Sequence, residues 1–171
     1  MTKIIDLASA QTTPKPLSAD VEGVQIDLGD DGAVEGSAHF AGELFREGSQ
    51  THLRGTVKVS VELQCTRCVE PLTMALEIPF EDVFVDASEE RIEKDLEVPV
   101  TDLDVELVAA DELNLADIIR EQILLNLPEQ VLCKEDCKGL CPQCGANRNR
   151  QDCDCGDEDI DPRWAALKNL N

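Results

Sequence analysis

The sequence is poor in most of what membranes, nucleic acids and catalysis demand. No stretch approaches the roughly 20 uncharged apolar residues of a membrane-crossing helix. The opening Met1-Thr-Lys-Ile-Ile-Asp6 sets a carboxylate where the apolar region of a signal peptide would lie, so a cytoplasmic protein is expected. Cations are scarce: 15 Lys and Arg face 36 Asp and Glu, a formal net charge of -21. Phosphate binding is driven by Lys and Arg displacing counterions, so such a chain repels RNA and attracts basic surfaces. There is no Gly-rich phosphate loop and no nucleophile elbow. The only two histidines, His39 and His52, lie in strand-like segments far from the cysteines. No enzyme and no small-molecule substrate are expected. At 171 residues the chain is also too short for a (β/α)₈ barrel of about 250 residues.

What is present falls into two textures. Apolar residues alternate from Val34 to Leu44, from Leu53 to Cys65 and from Leu72 to Phe80, which predicts antiparallel strands with one wet face. Shorter β-prone pieces at Ile4 to Leu7 and Val24 to Leu28 read as edge strands, cut by turn signals at Pro14, Pro16 and Gly29-Asp-Asp-Gly32. Leu115, Ile118, Ile119, Ile123 and Leu127 then follow helical spacing, with Asn114 as N-cap and Pro128 as stop. The fold class expected is α+β: an antiparallel sheet domain over residues 1–130, covered by one main helix at about 114–127. Residues 131–171 form a cysteine-rich, zinc-binding tail, in which Asp161 and Pro162 open a short terminal helix. Between sheet and helix runs an acidic stretch. Glu81 to Glu112 holds 13 acidic and 2 basic residues, and is either a solvated loop or a docking surface for a basic protein.

The eight cysteines form four chelating pairs: Cys65/Cys68, Cys133/Cys137, Cys141/Cys144 and Cys153/Cys155. In a reducing compartment such spacing reads first as metal ligation, and eight thiolates saturate two tetrahedral zinc sites. Intact pairs divide into two sites in three ways. The loop between Cys144 and Cys153 is long enough to bring the last pair back over Cys141 and Cys144. That leaves Cys65 and Cys68 to join Cys133 and Cys137, tethering the tail to the sheet. Grouping Cys133, Cys137, Cys141 and Cys144 instead would crowd four ligands into 12 consecutive residues. Rival uses exist for the thiols. A thioredoxin-like dithiol at Cys65/Cys68 would need a strand leading into a helix, whereas Pro71 and another strand follow. Inert buried thiols and iron–sulfur ligation stay open, since four thiolates suit either metal. The Cys137, Cys141, Cys144 spacing matches the radical-SAM motif, but too little chain follows it for a barrel-like catalytic domain.

Five ordered blocks carry a resemblance. They are Cys65-Thr-Arg-Cys68-Val-Glu-Pro71, Glu121-Gln-Ile-Leu-Leu-Asn-Leu-Pro128, Cys133 to Asn147 with its Cys137-Lys-Gly-Leu-Cys141-Pro core, Cys153-x-Cys155, and Asp161-Pro-Arg-Trp164. Together they resemble the YceD family of large ribosomal RNA subunit accumulation proteins, over about residues 55 to 170. The resemblance implies a role in ribosome biogenesis. Members are bacterial and plastid proteins needed for normal levels of large-subunit ribosomal RNA, and the gene often lies beside that of a small zinc-bearing ribosomal protein. Some members lack the cysteine-rich tail, which implies that a second zinc is dispensable to the shared activity. The partner implied is a basic ribosomal protein or an immature large subunit, as the charge also favours. Direct RNA binding would need a basic patch, for which Arg67, Lys138, Arg148 and Arg150 are the candidates. A zinc-ribbon adaptor in transcription is the third reading.

Overall fold

Alternating apolar residues do become strands. The computed structural model describes residues 3–86, 105–108, 112–155 and 163. Its elements are β1 (Ile4–Asp6), β2 (Lys15–Glu22), β3 (Ala33–Glu47), β4 (Gln50–Gln64), β5 (Pro71–Asp86), β6 (Val105–Val108), β7 (Glu112–Asn114) and α1 (Leu115–Asn126). β2 to β6 form one five-stranded sheet in chain order. β3 and β4 close on each other through Gly48-Ser49, with Gly48 at φ 62°, which matches the right-handed twist of the strands it joins. Where Gly42 faces Gly55 there is no room for side chains: a Cβ on Gly42 would come within 2.7 Å of the Gly55 Cα and 2.8 Å of the Phe40 ring. Phe40 therefore covers the glycine pair and is itself fully buried.

Inward rows meet α1 to make the core. β3 contributes Ala38, Phe40 and Leu44, β4 contributes Leu53, Val57 and Val61, β5 contributes Ile78 and Phe84, and the helix adds Leu115, Ile119 and Ile123. The Asn114 side chain accepts from the Ala116 N–H, worth about 1 kcal/mol in a typical N-cap, and its amide donates to Asp117. On the outer face side chains pair across strands: Arg54 with Glu43 and Lys58 with Glu77 as ion pairs, and the rings of His39 and His52 with the carboxylates of Asp20 and Glu81.

Four features depart from the sequence expectations. Residues 15–22 are a strand despite Pro16, because β2 sits at the sheet's edge, where a missing N–H costs least. Val24 to Leu28 is no strand. Gly23–Gln25 forms a 3₁₀ turn, and Ile26 and Leu28 drop into the core from irregular backbone. β6 pairs with β5 in parallel, so the sheet is mixed at that edge. β1 leaves the main sheet and pairs antiparallel with β7, bringing Ile4 opposite Asn114 at the start of the helix. The terminal helix expected after Asp161 lies outside the described residues.

Among the described side chains in the inward row of β5, one is charged. Asp82 stands opposite Leu53 and accepts from the Gln122 amide at 3.1 Å. Burial raises its carboxyl to about 6, and the charges of Glu121 and Glu106 add to the rise. A carboxyl that binds its proton more tightly folded than unfolded stabilises the fold at low pH and loses that contribution as pH rises, here from 3.8 to about 6. Asp82→Asn keeps an acceptor for Gln122 and removes the titration. In urea unfolding, the variant is expected to gain on the order of 1 kcal/mol at pH 7, allowing for solvent screening of a half-exposed group, and to match the parent near pH 4.

Candidate metal centre

Cys65 is the next inward-facing residue after Leu63, so the core row of β4 ends in a sulfur. The chain turns there, and Cys68 closes the turn before β5 begins at Pro71. After α1 and Pro128 the chain returns to this corner: the Thr66 N–H and hydroxyl both donate to the Val131 carbonyl, at 2.8 and 3.1 Å. Cys133 and Cys137 follow. The four sulfurs of Cys65, Cys68, Cys133 and Cys137 lie within 4.8 Å of one another. Cys65 and Cys137 are 3.7 Å apart and Cys68 and Cys133 are 3.5 Å apart. A tetrahedron of thiolates about 2.3 Å from a zinc ion has edges of roughly 3.8 Å. The donors present therefore fit a tetrahedral ion, and all eight cysteines are free thiols.

Cys141, Cys144, Cys153 and Cys155 make a second quartet, again with all sulfurs within 4.8 Å. This is the division of pairs that loop length favours. The two Cys-x-x-Cys turns are built alike. The Val69 N–H donates to the Cys65 carbonyl and the Cys65 N–H to the Glu70 carbonyl, both at 2.9 Å. Likewise Gly145 donates to Cys141 and Cys141 to Ala146, both at 2.8 Å. The residue after the second cysteine is left-handed in each turn, at φ 72° for Gly145 and φ 59° for Val69. For Gly145 that conformation carries no strain. For a β-branched residue it is a true outlier.

Side chains that sequence reasoning missed join the two quartets. Asn149 donates to the Cys137 sulfur at 3.2 Å and accepts from the Lys138 N–H at 2.9 Å. Glu70 receives Asn147 at 3.0 Å and Arg150 at 2.7 Å, one on each carboxylate oxygen. The Leu140 N–H donates to the Arg67 carbonyl, with Gly139 packed so closely that a Cβ would lie 3.0 Å from that oxygen. Polar residues inside a cysteine loop were the one available signal, since such loops have no other core to satisfy them. Of the four candidate RNA-binding cations, Arg67 donates to the Cys137 carbonyl and Arg150 is paired with Glu70. Lys138 and Arg148 are exposed.

The quartets are electrostatically uneven. Burial opposes charge on Cys65, yet the backbone N–H groups of Cys133, Cys68 and Arg67 outweigh it and hold the thiol at about 6. Backbone N–H groups of Cys144 and Gln143 likewise bring Cys141 to about 6. Burial pushes Cys133 up to about 12, and hydrogen bonds with Cys144 and Cys141 push Cys155 to about 12. Burial also opposes charge on Cys137, yet the Asn149 amide and the Gly139 N–H shift it down, so two sulfurs of the first quartet and one of the second favour the thiolate, and a metal must displace protons from their neighbours. With four cysteines on one ion no position is left for water or substrate, so the chemistry supported is structural.

Replacing Cys65 and Cys68 by Ser is expected to lose one equivalent of bound metal and to free the tail from the sheet, read as new protease sensitivity after Pro128. Replacing Cys153 and Cys155 should lose the other equivalent while the sheet's thermal transition persists. Loss of neither equivalent in either variant, or of both when only Cys153 and Cys155 are replaced, would count against two separate quartets.

The family described as large ribosomal RNA subunit accumulation protein YceD matches residues 53–171. An uncharacterized protein of Mycobacterium tuberculosis is 32% identical over 116 residues, 66% of this chain and 52% of its own. The uncharacterized protein YlbN of Bacillus subtilis is 30% identical over 116 residues, 67% of this chain and 63% of its own. The chloroplastic large ribosomal RNA subunit accumulation protein YCED homolog 1 of Arabidopsis thaliana is 39% identical over 59 residues, 34% of this chain and 18% of its own. The chain spans about half the length of the mycobacterial relative it matches. No solved structure matches it. Because the matched region runs from Leu53 in β4 through α1 and takes in all eight cysteines, both quartets lie inside it, with β1, β2 and β3 preceding it, and the chain belongs to the YceD family.

Proposed function

We propose that the protein is a non-catalytic ribosome biogenesis factor of the cytoplasm. In this reading it supports accumulation of large-subunit ribosomal RNA by binding a basic ribosomal protein or an immature large subunit, and each thiolate quartet holds one zinc ion. The observation that carries the reading is charge. A chain at -21 attracts cationic proteins, and ribosomal proteins are strongly cationic and prone to bind the wrong polyanion until their RNA site is ready to receive them. The sheet's outer face agrees with this, since His39, His52, Arg54 and Lys58 are each spent on a carboxylate. Direct RNA binding fares less well, because two of its four candidate cations are engaged within the protein. Family membership supports a ribosome-related role: the family and its Arabidopsis thaliana relative carry large ribosomal RNA subunit accumulation in their names. No described helix is long and apolar enough to cross a membrane. A small-molecule reaction has no support in the site, and the zinc-ribbon adaptor reading would need a polymerase or promoter partner. The acidic segment between Glu81 and Glu112 is the proposed contact, although residues 87–104 and 109–111 of it lie outside the described residues.

Protein purified without added metal is expected to carry two zinc equivalents by elemental analysis, and stoichiometric iron would overturn the zinc assignment. Captured from its own cytosol, the tagged chain should bring down large-subunit proteins or precursor RNA. That association should weaken steeply above physiological salt, where charges are screened beyond about 8 Å. Deletion of the gene should lower large-subunit RNA relative to small-subunit RNA. An unchanged ratio, with only polymerase recovered, would replace the assembly reading with the adaptor.

A further inference from the structure

The corner beside the first quartet holds a groove of about 700 Å³. One wall is the turn from Gly29 to Gly32, which projects Asp30 and Asp31. The turn is fixed in place: the Gly29 N–H donates to Asp27 at 2.9 Å, and Gly32 packs so tightly that a Cβ would lie 2.5 Å from the Glu62 carbonyl. The facing wall is the stretch from Leu127 to Val131, held to the cysteine turn by the two Thr66 bonds. Val69 and Pro71 line the space between. Among the described residues no lysine, arginine or histidine lines it.

Val69 is the informative residue. The same turn around Cys141 and Cys144 is made with Gly145, so the fold itself asks only for glycine at this place. Valine is here nonetheless, in the left-handed region, and its side chain is 54% exposed into the groove instead of serving the core. A strained, exposed apolar side chain that contributes no internal packing has its use in what it touches outside. We infer that the groove receives an extended cationic segment of a partner protein, seating one apolar side chain against Val69 and Pro71 while flanking lysines or arginines meet Asp30 and Asp31. Charge complementarity selects this occupant, since the two carboxylates of the turn, with no cation among the described lining residues, oppose RNA and any acidic peptide. The inference rests on the proposed binding of a basic protein and adds a second contact to the acidic segment, on the described surface. It also gives the first quartet a second task, because the Leu127 to Val131 wall is held against Thr66 beside those four sulfurs.

The test uses the full metal-loaded chain and a synthetic heptapeptide with a central valine between two sets of three lysines. Titration followed by backbone amide resonances should shift Asp30, Asp31, Val69 and Val131, and a peptide with glycine at its centre should bind roughly tenfold more weakly, the worth of one buried apolar side chain. Val69→Gly should weaken the valine peptide by a similar factor and bring it level with the glycine peptide. The same variant should raise the urea midpoint, which shows that the loss is not misfolding. Asp30→Asn combined with Asp31→Asn, both on an exposed turn, should weaken both peptides and flatten the salt dependence. Shifts confined to outer-face acids such as Glu35 and Glu77, equal binding by Val69→Gly, or stronger shifts of the same amides by oligouridylate would each overturn the groove. Large-subunit precursors captured equally by the parent and by a variant combining Val69→Gly, Asp30→Asn and Asp31→Asn would remove the groove and leave the proposed function standing. Failure of both to capture them would remove the function, with the peptide titration still deciding the groove.

Discussion

Everything beyond the sheet depends on four sulfurs meeting at one corner. Cys65 and Cys68 end the inward row of β4, while Cys133 and Cys137 arrive after the helix, 65 and 72 residues away along the chain for the closest pairs. Closing loops of that length costs conformational entropy that the tail, with no apolar periodicity, cannot repay by burial. Metal ligation can, because binding energy at a site absent from the unfolded chain is folding energy. The corner also determines where α1 ends, since Pro128 and Val131 must reach Thr66 before Cys133 reaches Cys68.

The second quartet uses the first as its foundation. Its loop lays Leu140 on Arg67, sends Asn149 to the Cys137 sulfur and delivers Asn147 and Arg150 to the two oxygens of Glu70. The Asn149 bond to the Cys137 sulfur favours and orients its thiolate, and Asn147 accepts from Asn149 in turn, so both asparagines support the candidate metal site. The order of dependence is physical. The first quartet is tied into a hydrophobic core, and the second is tied to the first.

Charge is organised by the same economy. Cross-strand pairing neutralises the cations of the outer sheet face, and internal hydrogen bonds engage Arg67, Arg120 and Arg150. The carboxylates outnumber their partners, so the field presented to solution is negative. One carboxylate turned inward, Asp82, shows the cost of that abundance: desolvation and the neighbouring Glu121 and Glu106 favour its protonated form.

Local physics made much of this legible in the sequence. Period-two alternation located β3, β4 and the first half of β5, helical spacing with Asn114 and Pro128 located α1 to within a residue at each end, and cysteine spacing located four chelating pairs. These features are encoded by neighbours in the chain, so neighbours suffice to read them. The tertiary structure alone decided what depends on distant partners. Pro16 lies in a strand because that strand is an edge, Ile26 and Leu28 enter the core without strand geometry, and β6 runs parallel because it returns to β5 after a long connection. The division of pairs into quartets was favoured by loop length but required sulfur positions to establish, and Glu70, Asn147 and Asn149 carried no local periodicity at all. Val69 makes the distinction sharpest: its type was plain in the sequence, but its left-handed backbone follows from the hydrogen bonds of a cysteine turn that only the folded corner closes.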